Sequence, residues 1–164
     1  MEVAEELGYP LWMGEFGVGS AAYRAGHWTR DAVDLFDEYA LGWAWWCYWR
    51  DKASFGLLYP DGREKTHIVK HLDRPYVFLC DGCRPLSFKF DGSKFVARLW
   101  VVRNQLRAYV YVPYRHFGEL KGLVASVDRG VVRWRAIEER RTVVVEIDGV
   151  SGGTTVEVYI YRGG

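Results

Sequence analysis

"PLWMGEFGVG", residues 10–19, decides how the first part of the chain folds. Leu11, Trp12 and Met13 are large and apolar with no polar residue between them, the pattern of a short strand buried on both faces, as strands of parallel sheets are. The run ends on Gly14, Glu15, Phe16 and Gly17. A carboxylate directly behind a buried strand is costly unless something pairs it or uses it. Gly14 and Gly17 let the backbone turn tightly there and leave the carboxylate accessible. Glu15 is therefore either half of a strand-end ion pair or a working group.

The neighbouring sequence supplies the context. "MEVAEELGYP", residues 1–10, reads as the last turns of a helix stopped at Gly8. "WTRDAVDLFDEYALG", residues 28–42, reads as a second helix, with Ala32, Leu35, Phe36 and Tyr39 on its apolar face and Gly42 as its end. "WAWWCYW", residues 43–49, is a second apolar strand with almost no alternation. A loop with a Pro-Asp-Gly turn follows, and "KTHIVKHLDRP", residues 65–75, is a short helix stopped before Pro75. Helix, strand, helix, strand, helix is α/β grammar with parallel strands.

After Pro75 the grammar changes. "PLSFKFDGSKFVARLWVV" alternates apolar and polar around Asp91-Gly92, a hairpin signal. "LRAYVYVP", "VVRWRAI", "RTVVVEIDG" and "TTVEVYIYR" continue at strand length. In the last, Val156, Val158 and Ile160 face one way and Thr155, Glu157 and Tyr159 the other. About six short strands with no helix between them imply an all-β antiparallel sandwich. The expected division is residues 1–73 and 74–164. Two parallel strands cannot cover their own edges, so the first part reads as the end of something larger.

Composition narrows the partners. The net charge of +1 leaves no basic footprint for nucleic acid. No apolar run approaches the roughly 20 residues of a membrane span, and no signal-peptide pattern follows Met1. Eight Trp and eleven Tyr make the chain aromatic-rich, as sugar-binding and interface proteins often are. Asn104 and Gln105 are its only side-chain amides. Cys80 and Cys83 form one Cys-x-x-Cys pair with no His pair to complete a metal site, so a turn is expected there, bridged or not. Cys47 reads as a small core residue.

"LGYPLWMGEFG", "LGWAWWCYW" and "GLLYPDGREKTHIVKHLDRPY" occur in the order of one family's C-terminal half. In these stretches the chain resembles glycoside hydrolase family 5, especially its endoglycoceramidase-like and endoglucanase-like members. The resemblance runs from the helix before barrel strand seven through the C-terminal β-sandwich. It implies an α/β fragment of a (β/α)8 TIM barrel, with the last two strands and their helices, followed by the sandwich. It places Glu15 where the family has its catalytic nucleophile. It puts residues 43–49 where the family has strand eight, whose tryptophan floors a sugar subsite. Spacing gives that role to Trp46, with Trp45 as the alternative, and leaves Trp43 and Trp49 to barrel packing.

Retaining glycosidases need two carboxyl groups about 5–5.5 Å apart. The family's acid/base lies in an Asn-Glu-Pro motif, which this sequence lacks. Glu2, Glu5 and Glu6 lie on the preceding helix, Glu38 on a solvated helix face, and only Asp51 falls near the right rim. His27, in the loop after Glu15, is a candidate subsite residue. His67, His71 and His116 are scattered and make no metal spacing. The expected function is the C-terminal part of a retaining β-glycosidase acting on β-linked oligosaccharides or glycolipids. It has the nucleophile without the acid/base, and neither metal nor organic cofactor. A separate chain would supply barrel strands one to six. Such a chain is a gene fragment, a split gene or the product of a mis-called start codon. The alternative is a non-catalytic remnant in which the sandwich serves as a carbohydrate-binding or packing module, with Tyr159 and Tyr161 as its exposed rings.

Overall fold

The computed structural model describes residue 6 and residues 11–163. The helix expected over residues 1–10, with Glu2 and Glu5, therefore lies outside the described residues, Glu6 excepted. The chain divides into two compact units, residues 1–72 and 73–164.

In the first unit, β1 (Trp12–Phe16) pairs in parallel with β2 (Gly42–Trp45). Trp12 sits against Gly42, Met13 against Trp43 and Phe16 against Trp45, with an irregularity between Met13 and Phe16. The connection is α1 (Ala25–Glu38), and α2 (Thr66–Leu72) follows β2. The core joins Ala25, Leu57, Ile68 and Val69, with Val18, Trp45 and Leu72 against it. Phe16 is a second centre of packing. Phe36, Trp43, Trp45 and Trp28 ring it at centroid distances of 4.9, 5.4, 5.1 and 6.3 Å, the first three edge-on.

Three expectations change here. Leu11, Trp12 and Met13 are exposed rather than buried on both faces, Trp12 to 69%. Among the described residues no third strand joins β1 and β2, so nothing completes the burial that their composition demands. The strand expected over 43–49 ends at Trp45, where residues 46–49 turn into a loop and the Trp46–Cys47 peptide is cis. The helix begins at Ala25, and its buried face is Ala25, Thr29, Val33 and Phe36; Leu35 and Tyr39 are exposed. Thr29 is at home in that apolar face because its hydroxyl donates to the Ala25 carbonyl at 2.9 Å.

The second unit is two four-stranded antiparallel sheets. One has the order β4 (Cys83–Phe90), β5 (Phe95–Val101), β10 (Thr155–Arg162), β7 (Leu123–Val127). The other has the order β3 (Tyr76–Asp81), β6 (Leu106–Tyr111), β9 (Thr142–Asp148), β8 (Val131–Ile137). Phe95, Leu99, Val156, Val158 and Ile160 from the first sheet and Leu106, Val110, Val143 and Ile147 from the second share one core. This is sandwich packing, with alternate residues turned inward. Val156, Val158 and Ile160 are fully buried, as their alternation predicts. The strands number eight rather than six, and a one-turn helix, α3 (Tyr114–Phe117), interrupts them.

Asp91 closes the β4–β5 hairpin. Its Oδ1 accepts from the Lys94 and Ser93 amides at 2.7 and 2.9 Å and from the Ser93 hydroxyl at 2.9 Å. The Lys94 and Ser93 N–H groups hold its carboxyl below the usual carboxylate range. Gly92 takes a positive φ of 97°, which a side chain would resist. Cys80 and Cys83 are joined by a disulfide across the β3–β4 turn.

Candidate active site

The parallel pairing of β1 and β2 brings their C-terminal ends to one edge of the pair. Glu15, the penultimate residue of β1, lies there, as do Trp45 at the end of β2 and Trp46 just beyond it. Phe16 turns toward α1, where it meets Phe36, so alternation along the strand sends Glu15 to the other face. The Glu15 side chain is exposed. The structure thus places all three sequence-selected residues at one rim.

The two tryptophans differ. Trp45 is half-buried, and its Nε1 donates to the Phe55 carbonyl at 2.9 Å. With its ring also edge-on to Phe16, it is held from two sides. Trp46 is 54% exposed and is fixed through its backbone, whose N–H donates to the Phe16 carbonyl at 2.9 Å. Trp46 is therefore the more accessible of the two at the rim. Of the pair left to packing, Trp43 does pack on Phe16, but Trp49 is exposed.

Two loops are stitched together beside this rim. The Ser20 and Ala21 amides donate to the Ser54 and Ala53 carbonyls at 2.9 and 3.2 Å, joining the loop after β1 to the loop after β2. Gly17 makes the approach feasible. A Cβ there would stand 2.7 Å from the Trp46 carbonyl oxygen and 3.1 Å from the Phe55 ring.

Asp51, the only rim carboxylate weighed as a second acid, is committed elsewhere. Its Oδ1 accepts from Lys65 Nζ at 2.6 Å and from the Ser54 amide at 2.7 Å, and its Oδ2 accepts from the Gly56 amide at 2.5 Å. Burial pushes the Asp51 carboxyl up, but the Lys65 ammonium and the Gly56 and Ser54 N–H groups outweigh it and leave the pKa below its ordinary 3.8. Lys65 itself is fully buried, with its ammonium 5.7 Å from the Tyr59 ring centre. The pair is a brace for residues 50–58. Sequence reading missed Lys65, because a lysine in "GREKTH" carries no local sign of burial.

His27 sits on α1 and is exposed, rather than lying in the loop after Glu15. His67 meets the Ser20 carbonyl through Nε2 at 3.1 Å and so pins the loop after β1. Glu38 ends α1, exposed as expected. No three His, Cys, Asp or Glu residues cluster with metal-site spacing among the described residues. No described helix is long and apolar enough to cross a membrane.

No family model matches the sequence, and no curated protein sequence does. Solved structures do match. Endo-glycoceramidase II from Rhodococcus sp., in a five-membered iminocyclitol complex, superposes with a TM-score of 0.74 at 20% identity, over 99% of this chain and 36% of that one. The same enzyme as its lactosyl-enzyme intermediate gives a TM-score of 0.74 at 18% identity, over 99% and 35%. An endogalactoceramidase gives 0.59 at 17% identity, over 99% and 35%. The chain thus spans little more than a third of the length of the chains it matches. At these identities the likeness shows the fold: a parallel α/β portion resembling part of a (β/α)8 barrel, then a β-sandwich. The barrel is not closed within the described residues.

Proposed function

We propose that this chain is the nucleophile-bearing portion of a retaining glycosidase of the family 5 type, with Glu15 as the nucleophile. The observation that carries the reading is the exposed Glu15 carboxylate at the same strand-end rim as the open Trp46 ring. The structural likeness to endo-glycoceramidase II, one form of which is described as a lactosyl-enzyme intermediate, supports it.

Catalysis in this reading has two steps. A Glu15 carboxylate oxygen attacks the anomeric carbon. The bond to the leaving oxygen breaks, and a second carboxyl group gives that oxygen its proton. The same second group then takes a proton from water, whose oxygen attacks the anomeric carbon and releases Glu15. The second carboxyl comes from polypeptide outside these 164 residues, since Asp51 is locked in its pair with Lys65. The Trp46 ring offers a flat apolar face to the C–H face of a sugar and leaves the hydroxyls free to hydrogen-bond. A β-linked glycan or glycolipid is the substrate class, and the reaction needs no metal.

The test joins this chain to the remaining barrel strands, as one polypeptide or two. The product is treated with a 2-fluoro-lactosyl fluoride, which glycosylates a retaining nucleophile as its anomeric fluoride departs and is then hydrolysed from it only slowly. The expected result is a mass increase on the peptide containing Glu15. Labelling on another residue, or hydrolysis that survives Glu15→Gln, would overturn the assignment.

The alternative of Tyr159 and Tyr161 as a sugar platform gains no support. Both rings are half-buried, and Lys94 Nζ lies 4.5 Å from the Tyr159 ring centre and 6.0 Å from that of Tyr161, so an ammonium competes for the Tyr159 face.

A further inference from the structure

The outer face of the β3–β6–β9–β8 sheet carries a second constellation that the glycosidase reading does not use. A cleft of about 380 Å³ is lined by Asp81, Arg103, Asn104, Gln105, Arg107 and Glu146. That volume lies within the usual ~300–1,000 Å³ of small-ligand sites. Both side-chain amides in the chain line this one cleft. Its charges are balanced in pairs: Arg103 Nη1 lies 3.3 Å from Asp81 Oδ1, and Arg107 Nε lies 2.8 Å from Glu146 Oε1. Asn104 spends its carbonyl oxygen on the Gly152 amide at 3.3 Å, which turns its amino group into the available donor.

Aromatic surface continues from the polar end. Arg107, Tyr109 and Tyr111 alternate outward along β6, with Asp81, Leu79 and Tyr76 opposite them on β3. The bulge between Val77 and Leu79 turns Phe78 outward as well, and Phe78 is 51% exposed. Phe78 lies 6.1 Å from Tyr109, and Tyr76 lies 5.4 Å from Tyr111, centre to centre.

We infer that this cleft and its aromatic extension bind a neutral, polyhydroxylated chain, a stretch of oligosaccharide. An anion is disfavoured, because each cleft guanidinium already faces a carboxylate that would have to be displaced. A neutral diol is favoured, because adjacent hydroxyls donate to Asp81 or Glu146 while accepting from Arg103, Arg107 or an amide. The rings at Phe78 and Tyr109 then take the apolar face of a following sugar. This site is independent of Glu15 and stands or falls apart from the glycosidase reading.

Affinity electrophoresis of the full chain tests it, in native gels cast with hydroxyethylcellulose, with arabinogalactan, or with the anionic polygalacturonate. The expected result is retardation in a neutral gel, with an apparent affinity that falls at least tenfold in Gln105→Ala, Arg107→Ala and Phe78→Ala. Gln105 takes part in no core packing, so its variant reports on the ligand rather than on the fold. No retardation in either neutral gel, retardation by polygalacturonate alone, or neutral-gel retardation untouched by Gln105→Ala overturns the inference.

Discussion

Lys65, with no exposed surface, holds Asp51 at 2.6 Å across the loop that follows the second barrel-type strand. Removing Lys65 takes away one hydrogen bond to a charged group, at a cost of about 1.5 kcal/mol, since Asp51 is part-exposed and keeps the Ser54 and Gly56 N–H groups. Lys65→Met is expected to loosen residues 50–58 and to lower the melting temperature of the first unit. Tryptophan fluorescence reads this directly, since Trp45, Trp46 and Trp49 flank the loop.

The same pair sets an acid limit. The Asp51 pKa lies below its ordinary 3.8 in the folded chain. Its stabilising contribution is therefore complete above the unfolded value and is lost as pH falls through the lower, folded one. Melting temperatures of the native chain should drop below about pH 4. Asp51→Asn should start lower and show a flatter acid limb. An unchanged limb would place the acid sensitivity elsewhere.

Glu15→Gln in the completed barrel should lower turnover by several powers of ten, because an amide neither attacks as a carboxylate does nor leaves as one. Substrate affinity should change far less. Near-normal turnover would remove Glu15 from the chemistry.

Trp46 and Trp45 separate by stability. Trp46 is more than half exposed, so Trp46→Ala should cost under about 1 kcal/mol and act on substrate handling. Trp45→Ala removes a ring packed on Phe16 and a hydrogen bond to Phe55, and should cost about 3 kcal/mol. Paired thermal melts decide it: a larger loss from Trp46→Ala would reverse the roles.

Made alone, the 164-residue chain should show no glycosidase activity, since Glu15 cannot both attack and protonate the leaving oxygen. Exposed Leu11, Trp12 and Met13 beside unpaired strand edges should drive self-association. Size exclusion is expected to show oligomers, and limited proteolysis a resistant core beginning near Arg74. A monodisperse monomer that hydrolyses β-lactosides would mean that another carboxyl group of this chain serves as the acid/base.

What the sequence disclosed followed from period and punctuation. The alternation in residues 155–160 fixed which side chains of the last strand are buried, and Asp91-Gly92 fixed a hairpin, because both depend on near neighbours alone. The apolar runs marked β1 and β2 but overstated the second, since "WAWWCYW" looks uniform while its backbone leaves the strand after Trp45. The apolar face of α1 was misread because Leu35 and Tyr39 share a helical stripe with Phe36 but stay about half exposed. The strand-end position of Glu15 was legible from the apolar run before it, and Trp46 was singled out only through the family resemblance. The Lys65–Asp51 brace was not, because a contact 14 residues apart leaves no mark on the residues between.

The Asp91 turn also bears on the order of assembly. Most pairings in the sandwich join distant segments, β10 to β5 and β6 to β9 among them, and such closures are slow because the intervening loop must be ordered first. The β4–β5 hairpin needs only four residues between its strands, and Asp91 organises them with three hydrogen bonds from Ser93 and Lys94. A hairpin of this kind closes in about 1–10 μs. The backbone edge of β5 opposite β4 then presents a ready template on which β10 can pair. Stopped-flow refolding of Asp91→Ala should accordingly show a slower folding limb and a nearly unchanged unfolding limb.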